Sequence, residues 1–192
     1  MYPNFSRKTR EPPIVLFGRI KKYKRPELAL YAMKHVISRI PNAKLIVMGG
    51  GDYLPSLIKC SRALKIEKHV EFTGYVSEEK KRDILQSAWV GVNTSSKEGW
   101  GITVLEANAC GTPVIASNSP GLRDSVINGK TGFLVEHGNV ERLAERITKV
   151  LEDEKLRITL SNSAIEWAKK FDWDISAEKM LNLIKEVLKL RA

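Results

Sequence analysis

The chain has 192 residues, of which 43% are hydrophobic and 28% charged, with a formal net charge of +10. That length suits one well-packed domain, and no apolar stretch approaches what a bilayer-crossing helix needs. The basic balance favours phosphate-bearing partners. Only Tyr23 interleaves the cluster Arg19, Lys21, Lys22, Lys24 and Arg25, so nucleic acid ranks well below a nucleotide ligand.

Residues 1–12 are polar, lack the apolar core of a signal peptide and read as a lead-in to a domain over 13–192. A cytoplasmic protein is the resulting expectation. The first strand is predicted over Ile14–Phe17. Pro26 suits the first position of a following helix, where its missing N–H costs nothing, and Ala29, Met33, Val36 and Ile37 share one face until Pro41-Asn42. A second strand, Lys44–Met48, leads into a helix over Asp52–Leu64. A third strand, Val70–Thr73, precedes Ser77, a helix cap with Glu78 and Glu79 in the electropositive first turn.

Trp89–Asn93 forms the fourth strand, and Ile102–Cys110 reads as a helix stopped by Gly111. Val114–Ala116 and Gly132–Val135 are the last two strands, with a tight turn at Asn128-Gly129 before the second. Asn139 caps a helix that buries Leu143, Ile147 and Val150. Helices over Asp153–Lys169 and Asp174–Leu190 end the chain. The strands are short and apolar on both faces, as strands are when helices cover both sides of a parallel sheet. The expected fold is therefore α/β: a doubly wound, mostly parallel, six-stranded Rossmann-like sheet.

Cys60 and Cys110 stand alone and are expected to be buried free thiols. His35, His69 and His137 lie far apart, so no metal is expected. Trp89, Trp167 and Trp173 read as core. Met180, Ile184, Val187 and Leu188 form a stripe on the last helix, expected to pack within the protein rather than on a membrane surface.

In an open α/β sheet, ligands sit beyond the carboxyl ends of the strands, and three segments fall there. Gly18 to Arg25, G-R-I-K-K-Y-K-R, follows the first strand. Arg19 and Lys24 suit a diphosphate, although a solvated basic loop explains the segment as well. Met48 to Asp52, M-G-G-G-D, lacks the spacing of either common phosphate loop and reads better as a turn, with close backbone approach to a ligand left open.

The third segment is E-G-W-G-I-T-V-L-E, with Glu98 and Glu106 eight positions apart around a glycine-flanked helix start. Free N–H groups at such a start attract anions. Glu98 is also explained by the helix dipole, worth roughly 0.3–1 kcal/mol. Glu106 lies among apolar residues and needs a partner, either a ligand hydroxyl or an internal Arg or Lys.

At these residues the chain resembles the family 4 glycosyltransferases. The likeness runs from Gly18 to about Leu151 through G-R-I-K-K-Y-K, L-I-V-M-G-G-G, V-E-F-T-G-Y-V-S, E-G-W-G-I-T-V-L-E-A-N-A-C-G-T-P-V-I-A-S and V-I-N-G-K-T-G-F-L-V. The resemblance implies the C-terminal, donor-binding half of a GT-B fold and sugar transfer with retention from a nucleotide-diphosphate sugar. No cofactor or metal would be needed. It implies that Arg19 and Lys24 bind the diphosphate beside Gly18 and that Glu98 holds the sugar hydroxyls. Gly101, Ile102 and Thr103 would contact sugar and phosphate, Glu106 the ribose, and the Gly74-Tyr75-Val76 turn the base.

An acceptor glycan, lipid or protein would come by way of an N-terminal half that this chain lacks, so the chain alone should transfer little. Contact with a membrane surface is compatible with that picture. A non-catalytic module of the same fold, docking a separate acceptor-binding chain, is the alternative. The chain departs from the family pattern at Arg25 (often Gly), Trp100 (usually Phe), Asn108 (usually Met) and Ser119-Pro120-Gly121 (often paired glycines).

Overall fold

A computed structural model describes residues 12–189. The expected lead-in, apart from Pro12, lies outside the described residues, as does Leu190 at the end of the last predicted helix. The strands are β1 (Pro13–Phe17), β2 (Lys44–Met48), β3 (Val70–Gly74), β4 (Val90–Asn93), β5 (Val114–Ser117) and β6 (Gly132–Val135). The helices are α1 (Glu27–Arg39), α2 (Leu54–Ala63), α3 (Glu78–Ser87), α4 (Ile102–Ala109), α5 (Leu122–Ser125), α6 (Val140–Glu152), α7 (Glu154–Ala168) and α8 (Trp173–Lys189).

The six strands lie in the order β3-β2-β1-β4-β5-β6, and every pairing is parallel. This is a doubly wound Rossmann-like sheet whose winding reverses between β1 and β4. There the register sets Ile14 beside Val90 and Leu16 beside Val92.

Period-two alternation divides the strand residues between two cores. Ile14, Leu16, Leu45, Val47, Ile115, Phe133 and Val135 face α1 and α6, where they meet Leu30, Met33, Val36, Ile147 and Val150. Val15, Met48, Val114 and Ala116 face the other way, toward Leu85, Val104, Ala107 and Leu122. Both faces are buried, which is why the strands read as apolar runs rather than as alternating patterns.

The caps follow local chemistry. Ser77 accepts a hydrogen bond from the Lys80 N–H, Asn139 from Arg142 and Asp153 from Leu156, each at the start of its helix. Pro26 sits one place before α1 rather than inside it. Cys60 is half-buried and Cys110 buried, both as free thiols.

Three expectations change. Trp173 is 84% exposed rather than core. The stripe on α8 does not pack within the described protein: none of that helix is buried, and Met180, Ile184, Val187 and Leu188 are all exposed. Trp89 precedes β4 rather than opening it, although it packs against the first core as expected, with the Arg157 guanidinium 3.8 Å from its ring centroid. Among the described residues no helix is long and apolar enough to cross a membrane.

Candidate functional site: the strand carboxyl ends around the β1–β4 reversal

The loops after β1, β2 and β3 are joined by backbone hydrogen bonds. The Gly18 N–H donates to the Met48 carbonyl at 3.0 Å, Ile20 to Gly50 at 2.9 Å, and Gly49 to Gly74 at 2.8 Å. Ile20 is buried and pins the loop, while Arg19 beside it is exposed to the cleft. The three glycines after β2 therefore have a packing reason. A Cβ on Gly49 or Gly51 would strike the carbonyls of Gly18 or Ile20, and one on Gly50 would strike the Tyr75 ring.

Lys22–Lys24 form a single 3-10 turn that ends at Arg25 in the left-handed region, with φ 49° and ψ 45°. That backbone explains why glycine suits the position. Arg25 holds it with its Nε 2.5 Å from Glu27 Oε1.

The β4–α4 loop is tied to this turn. Thr94 Oγ1 donates to the carbonyls of Lys24 and Arg25, and Ser96 Oγ to that of Tyr23. Their joint effect is to set Lys24 against Glu98, with Nζ 2.5 Å from Oε1 and side chains 17% and 15% exposed. The Glu98 N–H donates to the Pro120 carbonyl at 3.0 Å, and Gly121 packs so closely that a Cβ there would lie 2.3 Å from the Glu98 carbonyl oxygen. Glu98 is thus fixed from below by the Ser119-Pro120-Gly121 segment.

Gly101 caps α4 at φ +97°, and a Cβ there would meet Ser125 Oγ at 2.6 Å. Helix geometry leaves the Ile102 and Thr103 N–H groups without intrahelical acceptors, a ready anion site. Thr103 also lies against Gly18: a Cβ built there would be 3.5 Å from Thr103 Cγ2. Asn93 Nδ2 donates to Thr103 Oγ1 at 3.4 Å, while Asn93 Oδ1 accepts from the Ser95 N–H. Gly18, Arg19, Lys24, Glu98, Gly101, Ile102 and Thr103 therefore form one rim. Beside Gly99 the space is open to at least 4 Å.

Glu106 lies just over one turn along α4, and its partner in the structure is an internal lysine. Lys81 Nζ of α3 stands 2.9 Å from Glu106 Oε1 and 2.8 Å from Glu78 Oε2. A ligand hydroxyl is therefore not required to explain Glu106. Burial pushes the Lys81 ammonium pKa down, but the hydrogen bonds it donates to the Glu78 and Glu106 carboxylates, with their negative charge, outweigh that and hold it above the ordinary lysine value. The Gly74-Tyr75-Val76 turn adjoins α3. Gly74 has φ +65° with open space around it, Tyr75 is 81% exposed, and Val76 packs on the second core.

Sequence reasoning missed Asn93, Lys81, the Ser119–Gly121 support and the aromatic buttress behind α4. In that buttress the Trp167 Nε1–H donates to the Ser125 carbonyl, and Phe171 packs between Trp167 and Trp100. Asn108 is fully buried with neither amide atom hydrogen-bonded, so its site suits an apolar side chain better.

Not every cavity belongs to the rim. A groove of about 840 Å³ runs between α1 and the α6–α7 junction, lined by His35, Arg39, Glu141 and Glu152. Arg39 ends α1 just before β2 begins, so this groove lies at the amino ends of the strands. The rim itself closes over a recess of about 20 Å³ lined by Phe17, Arg19, Lys24 and Asn93.

The all-parallel sheet with its reversal between β1 and β4 places the chain in the doubly wound, Rossmann-like class of α/β domain. The chain belongs to a particular family of that class: residues 3–167 match the model for glycosyl transferases group 1. It is 30% identical over 185 residues to the GDP-mannose-dependent alpha-(1-6)-phosphatidylinositol monomannoside mannosyltransferase of Mycobacterium tuberculosis, covering 91% of this chain and 47% of that one. It is 32% identical to the D-inositol 3-phosphate glycosyltransferase of Corynebacterium jeikeium, covering 88% of this chain and 42% of that one. Among solved structures, sucrose-phosphate synthase from Thermosynechococcus elongatus superposes with a TM-score of 0.86 at 29% identity, over 98% of this chain and 50% of that one. The chain spans a little under half the length of the curated relatives it matches.

Proposed function

We propose that the chain is the donor-binding half of a retaining glycosyltransferase of the family 4 type, one half of a GT-B pair. Its substrate is a nucleotide-diphosphate sugar. The observation that carries this reading is the convergence of Arg19, Lys24, Glu98 and the N-terminus of α4 at the reversal between β1 and β4.

Arg19, Lys24 and the N–H groups of Ile102 and Thr103 bind the diphosphate. They stabilise the charge that develops on it as the bond from the anomeric carbon to the phosphate oxygen breaks. The acceptor oxygen bonds to the same face of that carbon, and its proton passes to the departing phosphate oxygen. The cations and the helix end supply the counter-charge, so the reading assigns no metal. Glu98 holds the sugar hydroxyls, and Gly99 leaves room for the ring. Glu106 accepts from the ribose, and the Gly74-Tyr75-Val76 turn lies beside the base.

Lys24 and Glu98 pair with each other in the free chain. Diphosphate binding therefore draws Lys24 onto phosphate and frees Glu98 for the sugar. The two events are coupled, since one ammonium serves both carboxylate and phosphate.

The acceptor, a glycan, lipid or protein, meets the donor at a second half outside this chain. The exposed apolar residues of α8 support that reading, because they offer a docking face beyond the domain. The same face supports a second reading, a non-catalytic module that completes its cleft only with a separate chain.

Calorimetry with UDP, GDP, ADP and their sugars tests the proposal. At least one nucleotide is expected to bind, and Glu106→Ala should weaken it about tenfold or more, the equivalent of one charge-assisted hydrogen bond. Thermal stability should fall by less than binding does, because Lys81 keeps Glu78 as a partner. Absence of binding to all of them at millimolar concentration contradicts the proposal.

A further inference from the structure

We propose that Lys81 is a positioning residue for nucleoside recognition, clamping Glu106 so that its free carboxylate oxygen faces the ribose. This inference rests on the reading that Glu106 meets the ribose, and it adds a residue from a different helix to that task.

The geometry supports it in three ways. First, Lys81 contacts Glu106 through Oε1 alone, at 2.9 Å, which leaves Oε2 to accept from a ligand hydroxyl. A carboxylate held at one oxygen has a fixed plane, so the second oxygen has a fixed direction. Second, the Lys81 side chain is only 18% exposed although it lies in the first turns of a surface helix. Glu78, its other partner, is 82% exposed and screened by solvent, so the contact to Glu106 is the more shielded of the two. Third, Lys81 is tied to the turn expected beside the base. Its N–H donates to the Ser77 carbonyl at 2.8 Å, and Ser77 directly follows Val76.

A structural role alone predicts that losing Lys81 lowers stability and weakens every ligand alike. The positioning role predicts loss of one discrimination only. The experiment is calorimetry on the full chain with three probes: UDP or GDP, its 2′,3′-dideoxy analogue, and inorganic pyrophosphate. The wild-type chain is expected to prefer the ribonucleotide by about tenfold or more. In Lys81→Gln that preference should fall below about threefold, while pyrophosphate affinity changes less than about twofold. Lys81→Arg, which keeps the charge and a donor, should recover part of the preference. Matching thermal midpoints confirm that each variant is folded.

Full retention of the ribose preference in Lys81→Gln overturns the inference and leaves the ribose role of Glu106 standing. An equal loss of pyrophosphate and ribonucleotide affinity also overturns it, pointing to bulk charge. A wild-type chain that binds nucleotides without preferring the ribonucleotide overturns the ribose role and this inference together.

Discussion

Gly49→Ala destabilises the chain by more than about 3 kcal/mol and abolishes nucleotide binding, by combined backbone strain and steric overlap. Gly49 has φ +123°, and a Cβ there would lie 2.1 Å from the Gly18 carbonyl oxygen and 3.0 Å from its carbon. Both obstacles are backbone, so no rotamer change relieves them. The Gly49 N–H also holds the Gly74 carbonyl, so any shift spreads to the turn after β3.

Two controls separate the causes. Gly129 has φ +76° with nothing near its Cβ position, so Gly129→Ala carries strain without overlap and costs about 1 kcal/mol. Gly99 has neither a left-handed φ nor a neighbour, and Gly99→Ala should leave stability within about 0.5 kcal/mol of wild type. Urea unfolding of the three variants measures the order directly.

Lys24→Ala is expected to weaken nucleoside diphosphate binding by about 30- to 100-fold, because two losses coincide. A charge-assisted contact to the diphosphate disappears. Glu98, only 15% exposed, then turns an unpaired negative charge toward the same anion. Lys24→Ala combined with Glu98→Gln removes the second loss and should recover part of the affinity. That recovery isolates the coupling between the two residues. Unchanged affinity in Lys24→Ala would make the Lys24–Glu98 pair a structural bridge rather than a ligand site.

The sheet was legible because its strands are buried on both faces. Runs such as Leu45 to Met48 and Val114 to Ala116 admit few other readings, and the strand bounds shifted by no more than a residue. The 3-10 turn at Lys22–Lys24 and the short helix α5 were not legible, since three or four residues carry no periodicity.

The rim was legible where one segment contains the chemistry, as at Gly18 to Lys24 and Glu98 to Glu106. It was hidden where the fold joins distant segments. Lys81 sits in E-E-K-K, which reads as a solvated helix face, and only the packing of α3 beside α4 sets it on Glu106. That contact gives Glu106 a partner within the chain and removes the need for a ligand to explain it. The α8 stripe misled for a related reason. Amphipathic spacing reports that a face is to be covered, but not that the cover lies within the same domain.

The most direct measurement is a crystal structure of the chain with whichever of UDP or GDP binds more tightly. The account predicts the diphosphate between Arg19, Lys24 and the N–H groups of Ile102 and Thr103. Lys24 should be drawn from Glu98, and a ribose hydroxyl should lie on Glu106 Oε2. A nucleotide in the groove between α1 and α6, with the Lys24–Glu98 pair intact, would contradict it.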